Sequence, residues 1–173
     1  NQTEYSSPKQ VGSGTNWSKA SVAEYPAVSF GLKTDGTLWS WGYNETGQLG
    51  LNQGPSANGR SSPTQVGTET TWSVAHFTPA MNTFAVKTDG TLWSWGYNGR
   101  GALGQNNRTN YSSPVQIPGT SWSTDSAHVG GDMLSAVLAI KTDSTLWAWG
   151  PQWGGELGLN DGNVKRSSPT QVP

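Results

Sequence analysis

The sequence contains no cysteine, little charge and no long apolar run. Without cysteine, disulfide bonds and thiolate metal sites are excluded. Only 12% of the residues are charged and the net charge is −1, which argues against a nucleic-acid groove because such grooves need clustered lysine and arginine. No apolar run approaches the roughly 20 residues that span a bilayer. We therefore expect neither nucleic-acid binding nor membrane insertion.

Tryptophan, glycine and proline are abundant instead. The 173 residues include ten tryptophans, 23 glycines and 10 prolines, although hydrophobic residues make up only 32%. Large aromatics with few aliphatic side chains are typical of short strands whose rings fill the space between sheets. Glycine and proline mark turns, and no segment has the periodicity of a long helix. The composition therefore predicts an all-β fold.

One ten-residue stretch occurs three times. Residues 33–42 read Lys-Thr-Asp-Gly-Thr-Leu-Trp-Ser-Trp-Gly, residues 87–96 repeat this sequence, and residues 141–150 read Lys-Thr-Asp-Ser-Thr-Leu-Trp-Ala-Trp-Gly. The steps between successive copies are both 54 residues. A fixed period of this size indicates a repeat architecture.

A second recurring motif, Ser-Ser-Pro, begins each unit. Its four copies have their prolines at positions 8, 63, 114 and 169. These copies divide the chain into a tail (1–5), three repeats (6–60, 61–111 and 112–166) and a remaining segment (167–173). Proline near the start of a short extended segment favours an edge strand, where the missing N–H costs little. We expect residues 167–173 to be an additional first strand that forms a sheet with a neighbouring chain or repeat.

The ten-residue stretch follows an alternating apolar run, and this pattern predicts a β-hairpin. The Asp-Gly pairs at 35–36 and 89–90 favour a two-residue type I′ turn, in which both central residues have positive φ. Asp143-Ser144 departs from this pattern. We expect the third turn to be strained or of another type.

Recurrence at the fixed period assigns the tryptophans to packing rather than to ligand binding. A Gly-x-Leu-Gly loop follows each hairpin, and its leucine is expected to fill a gap between neighbouring units. The predicted core residues are Trp17, Trp39, Trp41, Leu49, Trp72, Trp93, Trp95, Leu103, Trp122, Trp147, Trp149 and Leu157.

Four short extended pieces per unit, at a period near 54 residues, describe a blade of a β-propeller. The run Lys-Thr-Asp-Gly-Thr-Leu-Trp-Ser-Trp-Gly-Tyr-Asn, followed by Gly-x-Leu-Gly, resembles the regulator of chromosome condensation repeat. The resemblance covers nearly the whole chain, in a form similar to repeats of bacterial and phage surface proteins. It implies blades of four short antiparallel strands.

Three blades are too few for a closed ring, because propellers take about four to eight. The chain is therefore incomplete as a ring by itself. An open arc exposes an apolar sheet face at each end, and such faces mark interfaces. We expect a protein partner, either copies of the same chain or flanking repeats, that completes a ring or array.

Catalysis, metal binding and cofactor binding find no support in the sequence. His76 and His128 have no recurring serine or cysteine partner, and an aspartate in a tight turn is local backbone chemistry. Residues 160–163 lack the further acids of a calcium loop. We expect a non-enzymatic protein without cofactor or metal.

Residues that differ between the repeats are the candidates for partner binding, because the shared residues maintain the fold. Trp153 is one, since the other repeats have Glu45 and Gly99 at its position. The alternative is that these side chains only cover the edges of the blades. The predicted partner-binding residues are Tyr25, His76, Phe77, Arg100, Arg108, Tyr111, Met133 and Trp153.

The leading interpretation is a structural or protein-binding module in a larger assembly, such as a virion, tail or extracellular surface component. An extracellular or virion location is favoured on the resemblance alone, and a chain without cysteine is compatible with it. Two alternatives stay open: a guanine-nucleotide exchange factor, as in the member that gives the family its name, and a carbohydrate- or protein-binding propeller of lectin or inhibitor type. The fold alone does not decide among these functions.

Overall fold

The computed structural model describes residues 6–23, 27–54, 59–77, 81–129, 136–162 and 164–173. These residues form twelve strands in three four-stranded antiparallel sheets. The first sheet contains β1 (Trp17–Ala23), β2 (Val28–Lys33), β3 (Leu38–Gly42) and β4 (Arg60–Gln65). The second contains β5 (Trp72–Phe77), β6 (Asn82–Lys87), β7 (Leu92–Gly96) and β8 (Tyr111–Gln116). The third contains β9 (Trp122–Val129), β10 (Val137–Lys141), β11 (Leu146–Gly150) and β12 (Arg166–Gln171).

Strand order within each sheet follows the chain. We name the segments between the third and fourth strands the first loop (43–59), second loop (97–110) and third loop (151–165). The prolines of the Ser-Ser-Pro segments at 63, 114 and 169 lie in β4, β8 and β12, the edge strands. The prediction of edge strands is confirmed.

The sheets stack on one another in chain order, and two apolar clusters fill the spaces between them. In the cluster between the first and second sheets, the ring of Phe30 meets Trp95 edge-on with centroids 6.3 Å apart. Phe84 and Trp149 repeat this contact between the second and third sheets at 6.4 Å. The small residues of the third strands, Ser40, Ser94 and Ala148, are fully buried, as close approach of sheets requires.

A hydrogen bond joins each later sheet to the loop of the sheet before it. The indole Nε1 of Trp95 donates to the carbonyl of Gln48 at 2.9 Å, and that of Trp149 donates to the carbonyl of Ala102 at 2.8 Å. A Cβ on Gly50 would lie 2.7 Å from the Trp95 nitrogen, closer than real Cβ contacts. The Gly-x-Leu-Gly loop is therefore shaped to receive the indole of the next sheet.

The hairpin turns are not of type I′. The carbonyl of Lys33 accepts from the N–H of Gly36 at 3.0 Å, and the Lys33 N–H donates to Thr37 at 3.0 Å. Gly36 has a positive φ of 76° and Asp35 does not, which defines a three-residue loop with a left-handed third residue. The type I′ prediction is wrong, because the backbone of Asp35 lies outside the left-handed region. The Asp35 carboxylate accepts hydrogen bonds from the backbone N–H and the hydroxyl of Thr37, which stabilises this turn instead.

The third turn keeps this geometry despite its serine. The N–H of Ser144 donates to the Lys141 carbonyl at 2.9 Å, as Gly90 does to Lys87 at 3.0 Å. Ser144 has φ of 67°, a region that costs a side chain energy. The expectation of a different turn type is wrong, whereas the expected strain lies at Ser144.

The segment 167–173 also differs from its expected role. Residues of β12 pair with β11 of the same chain, with Gln171 opposite Trp147 and Thr170 opposite Ala148. The three later Ser-Ser-Pro segments therefore each close the sheet that precedes them, because the chain returns from the loop to the open edge of the third strand. The equivalent N-terminal residues 6–11 form no strand, and Val11 is 48% exposed.

Candidate interaction surfaces

A lysine lies over two tryptophan rings in every sheet. The Nζ of Lys33 is 4.0 Å from the ring centroid of Trp39 and 5.1 Å from that of Trp17. The second and third sheets repeat this arrangement with Lys87 and Lys141. Cation–π pairs that recur in this way belong to the fold of the sheet.

The aspartate of each hairpin turn is held by the threonine two residues later. The hydroxyl of Thr37, and then its backbone N–H, keep the pKa of the Asp35 carboxyl below its ordinary value. Asp89 and Asp143 have lowered pKa values for the same reason. Because the hydrogen bonds favour the charged form, these carboxylates stabilise the turns and offer no general acid.

Trp153 lies on the third loop between two cations, and its side chain is 51% exposed. The Nζ of Lys165 is 4.5 Å from the ring centroid, and the Cζ of Arg100, from the second loop, is 5.8 Å away. We name Arg100, Trp153 and Lys165 the Trp153 patch. It is formed by two neighbouring sheets and carries two exposed positive charges beside an exposed aromatic ring.

The third loop holds Trp153 in this position through its own backbone. The Glu156 carboxylate accepts from the N–H of Trp153 at 2.8 Å and of Gly154 at 2.9 Å. The N–H of Gly154, and then that of Trp153, lower the pKa of Glu156. The side chain of Gln152 accepts from the N–H of Leu157 at 3.2 Å. The ring is thus presented on an ordered turn.

Two other predicted partner-binding residues, Arg108 and Tyr111, lie outside this patch. Arg108 is exposed on the second loop. Tyr111 begins β8, packs against both apolar clusters and has its hydroxyl within 2.9 Å of the Asn107 amide, a position that favours a packing role.

Two further predictions fall on the first strand of the second sheet. His76 and Phe77 end β5, where their backbones pair with Phe84 and Thr83. Tyr25 and Met133 lie outside the described residues.

A cleft of about 360 Å³ opens between the first two sheets. Its described lining is mainly apolar, with Phe30, Leu32 and Val74, and the side chain of Lys19 spans the sheets to the Ser73 carbonyl at 3.1 Å. Sequence reasoning missed this cleft and Lys165 alike. The cleft depends on the distance between sheets, which the period of the repeat does not reveal, and Lys165 meets Trp153 through the folding of one irregular loop.

Within the described ranges, no group of three histidine, aspartate or glutamate side chains is placed to hold a metal ion. The same residues form no helix with the length and apolarity needed to cross a membrane.

Three stacked, four-stranded antiparallel sheets joined in chain order define the protein as a set of β-propeller blades. The profile of the regulator of chromosome condensation (RCC1) repeat matches residues 35–78 and 89–138, more than half of the chain. The chain belongs to the RCC1 repeat family.

The relatives are much longer than this chain. The Ultraviolet-B receptor UVR8 of Arabidopsis thaliana is 31% identical over 77% of the chain and 30% of its own length. The mitochondrial RCC1 domain-containing protein RUG3 of the same plant is 27% identical over 88% of the chain and 34% of its length. The chain therefore spans about a third of the relatives it matches.

Solved structures show the same fold. Human WBSCR16 superposes with a TM-score of 0.71 at 21% identity, over 91% of this chain and 38% of that one. Prp20p of Saccharomyces cerevisiae, studied for its binding to Gsp1p and histones, gives 0.68 at 18% identity over 84% of this chain and 36% of that one.

Proposed function

We propose that the chain is a non-enzymatic propeller module that binds protein within a larger assembly, with the Trp153 patch as its contact surface. The observation that carries the proposal is the exposed Trp153 ring between Arg100 and Lys165. Tryptophan and arginine are enriched among the residues that carry the binding energy of protein interfaces, because tryptophan offers a large apolar area and arginine offers charged, directed hydrogen bonds.

The charges of the patch indicate the chemistry of its partner. Two exposed cations beside an aromatic ring suit a segment that carries carboxylates and one apolar side chain. The relatives support a protein partner: Prp20p was studied for its binding to Gsp1p and histones, and Kap60 was solved bound to yeast RCC1.

A titration with defined peptides tests this function. An acidic peptide of alternating glutamate and leucine should shift the indole N–H resonance of Trp153, whereas a lysine–leucine peptide of equal length should not. Trp153→Ala and Arg100→Ala should each weaken binding about tenfold or more, as expected for interface anchors. Arg108→Ala, an exposed cation outside the patch, is the matched control. Equal binding of both peptides, or equal loss in the control, would contradict the proposal.

We further place this module in a virion, tail or extracellular surface assembly, on the likeness of its repeats to those of bacterial and phage surface proteins. Detection of the chain in purified particles or in the secreted fraction supports this location, and its confinement to the cell interior opposes it. The exchange-factor and lectin-type alternatives stay predictions.

A further inference from the structure

We propose that the cleft between the first two sheets binds a small amphipathic carboxylate, with the hydrocarbon chain in the apolar interior and the head group at Lys19. The residues of this site are separate from the Trp153 patch, so it adds a second binding function to the proposed contact with protein. Both walls of the cleft belong to sheets of this chain, and contacts within the chain therefore set its shape.

The interior of the cleft is apolar. Its floor consists of Phe30 and Leu32 of β2 and Leu38 of β3, which are all buried. Ala75 of β5 lines the wall formed by the second sheet and packs against the same apolar cluster. The volume of about 360 Å³ lies near the lower end of the range for small-molecule sites, about 300–1,000 Å³. The cleft therefore suits a small ligand that is mainly hydrocarbon.

Two polar side chains of β1 line the cleft beside this floor. Lys19 is exposed and Ser21 is half-buried. In the sheet, Lys19 lies opposite Leu32 and Ser21 lies opposite Phe30. Residues directly opposite each other in an antiparallel pair project to the same face, so the ammonium and the hydroxyl lie on the face that carries the apolar floor. A ligand whose chain contacts Leu32 can therefore bring its head group to Lys19.

The charge of Lys19 determines the head group that fits. Its Nζ donates to the Ser73 carbonyl across the gap between the sheets at 3.1 Å, which uses one of three donors. Neither ion pair among the described residues involves Lys19. The described residues that line the cleft include no aspartate or glutamate. A carboxylate is therefore the complementary head group, because hydrogen bonds between charged partners are stronger than those between neutral groups.

The next interface between sheets carries different residues at the equivalent positions. β5 has Val74 where β1 has Lys19, and His76 where β1 has Ser21, as their pairing with the following strands shows. Val74 packs against the apolar cluster between the second and third sheets, whereas the ammonium of Lys19 bonds to the Ser73 carbonyl. Because residues shared by the repeats maintain the fold, a difference of this kind favours a binding role.

Titration of the full chain with sodium octanoate, below the concentration at which it forms micelles, tests this site. The methyl resonances of Leu32 and Leu38 should shift in the NMR spectrum as the ligand binds. Octylamine has the same chain with the opposite charge and should bind at least about tenfold more weakly. Hexanoate should also bind about tenfold more weakly, since each buried methylene contributes about fourfold to affinity.

Two variants locate the site. Lys19→Gln removes the charge at an exposed position and should weaken octanoate binding about fivefold or more. Ser21→Leu places a larger side chain in the cleft and should abolish binding. Arg108→Gln removes an exposed positive charge outside the cleft and should bind octanoate like the parent chain. The comparison of Lys19→Gln with Arg108→Gln decides the outcome even where Ser21→Leu does not fold.

Equal binding of octanoate and octylamine by the parent chain would overturn the inference. Equal weakening by Lys19→Gln and Arg108→Gln would do the same, because it would show a general effect of net charge. The acidic peptide is titrated separately at Trp153, which takes no part in the cleft, so failure at one site is distinguished from failure at the other.

Discussion

The five residues Leu-Trp-Ser-Trp-Gly form the third strand of both the first and the second sheet, but their surroundings differ. In the second sheet Trp95 is fully buried and its indole bonds to the loop of the first sheet. In the first sheet Trp41 contacts no earlier sheet among the described residues and is half-buried. The repeat therefore determines how a blade folds, whereas the neighbouring blade determines how much of its faces is buried.

The largest expected difference is between Trp95→Ala and Trp41→Ala, two identical changes at equivalent positions. Trp95→Ala removes a fully buried ring and should lower the free energy of unfolding by about 3–5 kcal/mol. Trp41→Ala should cost less than about 2 kcal/mol in dilute monomer, because solvent already reaches the ring. Urea unfolding at low protein concentration measures both, and equal losses would show that Trp41 is covered within the single chain.

Glycine substitutions in the receiving loops should show the next largest contrast. Gly50 and Gly158 both have positive φ, 71° and 66°, so alanine costs about 1–2 kcal/mol at either position. At Gly50 the new Cβ also meets the Trp95 indole, whereas at Gly158 it lies 3.4 Å from Val172. We expect Gly50→Ala to destabilise by about 2–4 kcal/mol and Gly158→Ala by half as much. A reversed order in thermal unfolding would contradict the looser packing around Gly158, which is exposed whereas Gly50 is buried.

The hairpin turns should show a smaller change in stability, which can be tested by exchanging the serine of the third turn and the glycine of the second. Ser144→Gly should stabilise the chain by about 1 kcal/mol, because glycine adopts positive φ without steric cost. Gly90→Ser should destabilise by a similar amount, since a Cβ there meets Ser121 only at 3.4 Å. Chemical unfolding of both variants measures the pair; destabilisation by Ser144→Gly would mean that the serine has a compensating contact.

The smallest effect concerns pH. Hydrogen bonds from the threonines lower the folded-state pKa of Asp35, Asp89 and Asp143, so their stabilisation is present above the ordinary value of 3.8. It should be lost as the pH falls from there through the lower folded-state pKa. The triple Asp→Asn variant should therefore lose less stability than the parent chain on acidification. Identical pH profiles would show that the turns do not depend on these charges.

The sequence predicted the features that recur with its period. Four strands per repeat, proline on edge strands and the packing of the paired tryptophans all follow from residue types that appear three times. The leucines at 49, 103 and 157 are fully buried for the same reason: each loop repeats the glycines that let it turn over the sheet.

Two kinds of feature were not predictable in this way: the sheet to which each strand of the repeat belongs, and contacts that depend on neighbouring side chains or sheets. A period gives the spacing of the Ser-Ser-Pro segments but not the sheet that each one joins, so the sequence alone does not assign residues 167–173 to the third sheet, where β12 pairs with β11. The turn type depends on a side-chain bond from Asp35 to Thr37, which competes with the backbone preference of Asp-Gly. Lys165 meets Trp153 only because two irregular parts of one loop fold together.

The comparison between covered and uncovered blade faces is tested most directly by hydrogen exchange at the indole N–H groups of three equivalent tryptophans. Trp95 and Trp149 are fully buried and their Nε1 atoms donate to loop carbonyls, so their N–H groups should exchange slowly. Trp41 is half-buried, and its N–H should exchange at least about tenfold faster in dilute solution. Equal exchange rates at the three positions would contradict the account.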